Sequence, residues 1–257
     1  MRKFLTFNHV LKNIFETRKI KDIKGLEREV TDMISEVEAT VLYKMFIKAS
    51  TQVSIEIGLA HGISALLFCQ AHHEAQRIDT VTNIIRHYAI DPNQMTDYQS
   101  AAIRVLNEAG YAQIYKHLNG PSHLEIPKLI DKGLMVDCAF IDGWHTFDYT
   151  LIDFFLIDKI LKPGGYVAFH DGYGRAKQKV MNFILTHRKY SIDSDLMNFK
   201  DGSFIQVLKF FIWRIYRDPM LLFSWFHWKY QLKRVSGLII LKKEESYEPN
   251  YDYFENF

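Results

Sequence analysis

Residues 136–172 read VDCAFIDGWHTFDYTLIDFFLIDKILKPGGYVAFHDG, and this stretch decides the fold. Its opening run, VDCAFI, is nearly continuous in apolar character, as a strand covered on both faces requires, and it ends at Asp142. FDYTLIDFFLIDKIL has the length and composition of a helix, KPGG turns the chain, and YVAF forms a second buried strand running into His170 and Asp171. Two such strands joined by a helix make a parallel pair, because parallel neighbours need a crossover connection.

The same unit repeats on the N-terminal side. QVSIEIG (52–58) is a short β-branched strand stopped by Gly58, and ISALLFCQAHHEA follows it as a helix. RHYAIDPNQ (86–94) is a strand ending in Asp91, and SAAIRVLNEAG (100–110) is a helix closed by glycine. AQIYKHL (112–118) is a third strand, and SHLEIPKLIDKG (122–133) is the helix before the quoted stretch. RAKQKVMNFILTHRK continues as a helix, while SGLIILKKEE (236–245) reads as a last edge strand. Upstream, residues 26–49 space Val30, Met33, Ile34, Val37, Val41, Leu42 and Met45 as one amphipathic helix. Together these predict an α/β fold: an open, mostly parallel sheet with helices on both faces in one domain over 26–245. A basic amphipathic segment (1–25) precedes it and a tail (246–257) follows.

Composition narrows the function. With 32 basic and 30 acidic side chains the net charge is +2, which provides no global field for nucleic acid, so a small-molecule or glycan substrate fits better. Cys69 and Cys138 lie in apolar runs without metal-ligand spacing and read as core thiols of a reducing compartment. Asn8, His9 and Lys12 interrupt any secretion-signal core, and the uncharged stretch Pro219–Trp228 falls short of the roughly 20 residues a spanning helix needs. A cytoplasmic protein is expected.

Ligands of open parallel sheets bind beyond the carboxyl ends of the strands, so the residues there are the candidates. Glu56, Gly58, Ala60, Gly62 and Ser64 form E-x-G-x-A-x-G-x-S, small residues that let backbone approach a ligand at a helix N-terminus. A plain tight strand-to-helix connection is the competing reading. The spacing matches neither the G-x-G-x-x-G of nicotinamide enzymes nor the phosphate-binding G-x-x-x-x-G-K-S/T. Asp91 can accept hydrogen bonds from ribose hydroxyls, or cap the next helix. Asp142 and Asp171 should emerge together at one sheet edge, where His145 and His170 can join them around a divalent cation. Loop capping by the acids and ordinary polar contacts by the histidines compete with that reading, and His145 can instead be a general base.

The order EIGLAHGIS, IDPNQ and then VDCAFIDG through FHDG resembles class I S-adenosylmethionine-dependent methyltransferases, within them the small-molecule O-methyltransferase branch that includes macrocin and catechol-type enzymes. The resemblance covers about residues 35–195. It implies a Rossmann-like, seven-stranded sheet whose first glycine turn holds the amino-acid part of S-adenosyl-L-methionine, whose Asp91 holds the ribose, and whose Ser122 lies beside the adenine. Asp142 also belongs to this cofactor set. Metal-dependent relatives bind magnesium (Mg2+) with the acids that correspond to Asp142 and Asp171. Catechol-type enzymes carry asparagine where this chain has Gly172, so a cation here would need His170 or His145 as a substitute ligand. Methyl transfer to a hydroxyl is the activity implied, with Asp142 and His145 as the catalytic candidates. N-methyl transfer and a non-catalytic scaffold are the alternatives.

Residues 209–234 stand apart in composition. Trp213, Trp225, Trp228 and six Phe or Tyr residues are interleaved with Lys209, Arg214, Arg217, Lys229, Lys233 and Arg234, against the single acid Asp218. This predicts a helical insertion, broken at Pro219, that serves as a substrate lid, a homodimer contact, a peripheral membrane surface or ordinary packing. The tail EESYEPNYDYFENF lacks a core pattern and is expected to be loose or docked on a neighbour.

Overall fold

The computed structural model describes residues 6–31, 33–76 and 85–257. In chain order the elements begin with α1 (His9–Thr17), the short strands β1 (Lys19–Lys21) and β2 (Glu27–Glu29), and α2 (Glu36–Lys48). The repeating units are β3 (Ser54–Ile57), α3 (Ile63–Gln76), β4 (His87–Ile90), α4 (Ala101–Glu108), β5 (Tyr115–Leu118), α5 (Ser122–Asp131), β6 (Val136–Ile141), α6 (Phe147–Ile160) and β7 (Leu161–Phe169). The chain continues through α7 (Arg175–His187), β8 (Tyr190–Ile192), α8 (Ser194–Met197), α9 (Phe204–Arg217), a 3-10 turn (Pro219–Phe223), a π-helical turn (His227–Gln231) and β9 (Ile239–Lys243).

Seven strands form one sheet in the order β5-β4-β3-β6-β7-β9-β8. The first five are parallel, and β9 pairs antiparallel with both β7 and β8. The order reverses between β3 and β6, the crevice where doubly wound sheets bind ligands. This is the Rossmann-like α/β fold expected from the repeated strand-acid-helix pattern. Cys69 and Cys138 are both buried as core thiols, and burial pushes their pKa values up.

Three expectations about element boundaries need correction. Residues 26–49 are not one helix: Gly25 turns at φ +83°, and the buried Asp22 carboxylate accepts from the backbone N–H of Lys24 and Leu26 and from the Arg28 guanidinium. Those bonds fold residues 19–29 into a hairpin, and α2 starts only where Ser35 and Glu38 form a reciprocal capping box. β9 is interior rather than an edge, because Leu238 to Leu241 are buried on both faces and the three-residue β8 takes the outer position. The insertion helix α9 begins at Phe204, five residues before the compositional shift, because Ser203 and Gln206 form a second capping box.

The tail, expected to be loose or docked on a neighbour, lies on α7 of its own chain. The Tyr253 hydroxyl donates to the Thr186 carbonyl at 3.0 Å, and the Phe257 ring packs against Phe183 at 5.4 Å. Its aromatic content, which lacks any period, is what makes that packing possible.

Candidate active site

The cleft lies at the carboxyl ends of β3, β4 and β6, holds about 380 Å³, and is lined by residues from Ile57 through Asp153. Gly58, Ala60, Asp91, Ser122 and Asp142 all contribute to its wall, so five of the predicted positions come together in space. Gly58 has φ +95°, and a Cβ there would stand 2.2 Å from the Asp142 carbonyl oxygen. No side chain is compatible with that approach of β3 to the end of β6.

Asp91 is 5% exposed and organises the turn. Its Oδ2 accepts from the Ala60 N–H at 2.7 Å and from Gln94 Nε2 at 3.2 Å, while Oδ1 accepts from the Asn93 N–H at 2.7 Å. Ala60 itself sits at φ +45°, which costs an L-residue about 1–2 kcal/mol and is held by these bonds. A carboxylate offers about four acceptor positions, so Asp91 retains capacity for a ligand hydroxyl.

Glu56, Gly62 and Ser64 do not line the cleft. Glu56 is fully buried and faces His87 on the neighbouring strand, its Oε1 3.3 Å from the ring Nε2. Ser54 continues this buried polar chain through His87 Nδ1 at 2.9 Å and His72 Nε2 at 2.8 Å. Strand alternation explains the misplacement: Glu56 shares a face with Ser54, and that face turns toward α3 rather than the strand end. Gly62 has φ +84°, and a Cβ there would meet Ala102 at 2.9 Å, so this glycine permits the close approach of α4. Ser64 lies inside α3 and is buried.

At the opposite wall, the Ser122 hydroxyl donates to Asp153 Oδ1 at 2.5 Å. Asp153 is 1% exposed, and burial, partly offset by the Ser122 bond, raises its pKa from 3.8 to about 6. The residue was overlooked in the sequence because it sits inside the apolar run LIDFF, yet a lone acid within such a run was the available signal. Trp144 and Tyr149 also line the cleft.

Beyond Asp142 the strand ends bring the predicted histidines and second acid together. Asp142, His170 and Asp171 each place one ligand atom within 4.8 Å of the others. His170 Nδ1 faces Asp142 Oδ1 at 3.2 Å and Asp171 Oδ1 at 3.6 Å, and Nε2 faces Glu38 Oε1 at 3.4 Å. Burial disfavours the imidazolium, but Asp142 and Glu38 outweigh it and hold the His170 pKa well above its ordinary value. Burial likewise opposes the Glu38 carboxylate, while His170 and Ser236 bring its pKa down to about 2. Glu38 was missed because its capping-box role in α2 gives no hint of this reach.

Two carboxylates and an imidazole are a donor set that could hold a divalent cation. Gly172 leaves no room for a further ligating side chain, since a Cβ would meet Ile239 Cδ1 at 2.3 Å and the Gly237 carbonyl at 2.9 Å. The interior position of β9 therefore accounts for the glycine where catechol-type enzymes carry asparagine. The expected metal set of Asp142, Asp171 and His170 thus comes together as one group of possible ligands.

His145 is half exposed and stands on the far side of Asp171, its Nε2 3.5 Å from Oδ2. Its Nδ1 lies 2.8 Å from Nζ of the buried Lys177, which also donates to the His170 carbonyl at 2.6 Å. Burial first, and then the Lys177 charge, lower the His145 pKa, so the ring is neutral near pH 7. Burial also lowers the Lys177 pKa, against the opposing pull of Asp142, Asp171 and Asp153. The sequence gives no sign of this role for Lys177, because its buried position depends on how α7 packs.

Residues 55–172 match a family model described as a methyltransferase domain. The seven-stranded topology is that of the Rossmann-like methyltransferase fold. No curated protein matches the chain by sequence. The fold is similar to an O-methyltransferase from Bacillus cereus solved with S-adenosylhomocysteine, at 10% identity and a TM-score of 0.55, over 73% of this chain and 84% of that one. It is also similar to the O-methyltransferase TomG from Streptomyces achromogenes, involved in tomaymycin synthesis and solved with S-adenosylmethionine, at 14% identity and a TM-score of 0.56, over 73% of this chain and 82% of that one. No helix among the described residues is long and apolar enough to cross a membrane.

Proposed function

We propose that the chain is an S-adenosylmethionine-dependent O-methyltransferase that acts on a hydroxyl of a small molecule or glycan. The observation that carries this reading is the cleft at the β3–β6 switch point. Ribose-binding chemistry at Asp91 and a polar pair at Ser122 and Asp153 line one end, and the Asp142 cluster lines the other. That donor set fits a nucleoside whose two ends differ in polarity, and Gly58 keeps the floor free of side-chain atoms. S-adenosylmethionine, when bound, supplies an electrophilic methyl group on a sulfonium centre.

The chain's own residues account for positioning and proton removal. Asp91 accepts from ribose hydroxyls, and Asp142 offers its carboxylate where the cleft opens toward the acceptor side. His145, neutral near pH 7, takes the acceptor proton, and Lys177, whose Nζ lies 2.8 Å from the His145 Nδ1, tunes the ring by its charge.

Calorimetric titration with S-adenosylhomocysteine, beside an NADH control, is expected to show binding of the former alone. Asp91→Ala should weaken it by at least about tenfold, the worth of a hydrogen bond to a charged group. Asp142→Asn should keep binding but lose turnover, and turnover with magnesium or with chelator decides whether the Asp142, His170 and Asp171 group acts through a cation. Absence of S-adenosylhomocysteine binding, or preference for NADH, would overturn the cofactor assignment, and normal turnover of Asp142→Asn would overturn the role given to that carboxylate.

A further inference from the structure

The segment from α9 to the π-helical turn presents a face that the methyltransferase reading does not use. Val207, Phe211 and Arg214 point inward at i, i+4, i+7 spacing and anchor the helix. The Arg214 guanidinium lies 4.0 Å over the Tyr173 ring and donates to the Val235 carbonyl at 2.6 Å, so the insertion packs directly on the loop that carries Asp171. The opposite stripe, Ile205, Ile212 and Tyr216, is exposed, Ile205 at 64% and Tyr216 at 84%. Phe204 at one end of α9 and Phe223 in the following turn are more than 80% or equal to 80% exposed.

The charges on this face are of one sign. Lys209 falls within the apolar stripe by helical spacing, Arg217 stacks over the Trp213 ring at 5.0 Å, and Lys229 lies over Trp225 at 4.3 Å. The one acid between 203 and 234, Asp218, is consumed by Arg175 at 2.5 Å. An exposed apolar stripe bordered by unopposed cations fits an anionic lipid surface, with stems buried among acyl chains and ammonium groups at the phosphates. A two-fold contact with a second copy would set Lys209 and Arg217 against like charges, which disfavours that occupant.

We propose that α9 lies in the plane of an anionic bilayer and docks the protein there peripherally, with the Asp171 side of the site next to the lipid surface. At 14 residues the helix is about 21 Å long, which suits lying in the interface and is too short to span it. Docking does not depend on the methyltransferase reading, and its test needs neither cofactor nor turnover.

The test is flotation of the full chain with phosphatidylcholine vesicles that do or do not contain phosphatidylglycerol. Co-flotation is expected only with the anionic vesicles and should weaken as salt rises. Ile205→Glu with Ile212→Glu should abolish it, and Lys209→Glu with Lys229→Glu should weaken it roughly thirtyfold or more, given the contribution of each basic side chain near such a surface. Circular dichroism verifies that these surface variants fold. Failure of the wild type to float with anionic vesicles would overturn the proposal, as would equal binding to both vesicle types. A dimer in sedimentation velocity that Ile212→Glu dissociates would equally overturn it, because a second copy would then cover the face.

Discussion

Asp153→Asn should stabilise the protein at neutral and alkaline pH, and the structure sets the size of the effect. The Asp153 carboxyl is 1% exposed, and burial raises its pKa from 3.8 to about 6. A raised carboxyl pKa means that the folded state holds the proton more tightly than the unfolded state. Its cost is therefore absent below the unfolded value, grows as pH climbs from about 4 to 6, and is fully present above that range. A displacement of about 2 units corresponds to at most about 3 kcal/mol at pH 8. Asparagine has the same shape, cannot ionise, and keeps an oxygen to accept the Ser122 hydroxyl. Urea unfolding at about pH 8 should show the variant more stable by up to that amount, or roughly 5–10 °C in Tm for a chain of this size. Near pH 4 the two proteins should coincide. Equal stability at both pH values, or a variant less stable at pH 8, would refute the claim that burial dominates this carboxyl.

Two further outcomes follow from the other side of the site. Gly172→Asn, which restores the residue type of catechol-type enzymes, should lower Tm rather than confer magnesium dependence, because its Cβ would stand 2.3 Å from Ile239 Cδ1; a thermally unaffected, magnesium-activated variant would contradict the steric account. The His145 base is active only when neutral, so kcat/KM should fall as pH drops through a pKa below 6.5, and Lys177→Met, which removes a charge that lowers that pKa, should move this acid limb upward in a pH–rate profile. A limb that stays in place would show that Lys177 does not act on His145.

Sequence alone determined the elements whose signals are local. The strand-acid-helix repeat around Asp91, Asp142 and Asp171 was sufficient for a parallel α/β sheet, because crossover helices and buried strands impose their own periodicities. The glycine turn at Gly58 and the acid at Asp91 were legible for the same reason, since their backbone and capping demands involve only near neighbours. Tertiary structure decided what depends on residues far apart in the chain. Glu56 turned out to serve His87 rather than the cleft, because the pleat, not the motif, sets which face a side chain takes. Glu38 of α2 reaches His170 across 132 positions of sequence, and their pairing raises the His170 pKa and lowers that of Glu38. The interior placement of β9 forbids a side chain at Gly172, and the packing of α7 buries Lys177 beside His145. Charge, protonation and exclusion of side chains at the site all arise from close approach through space, which no local pattern encodes.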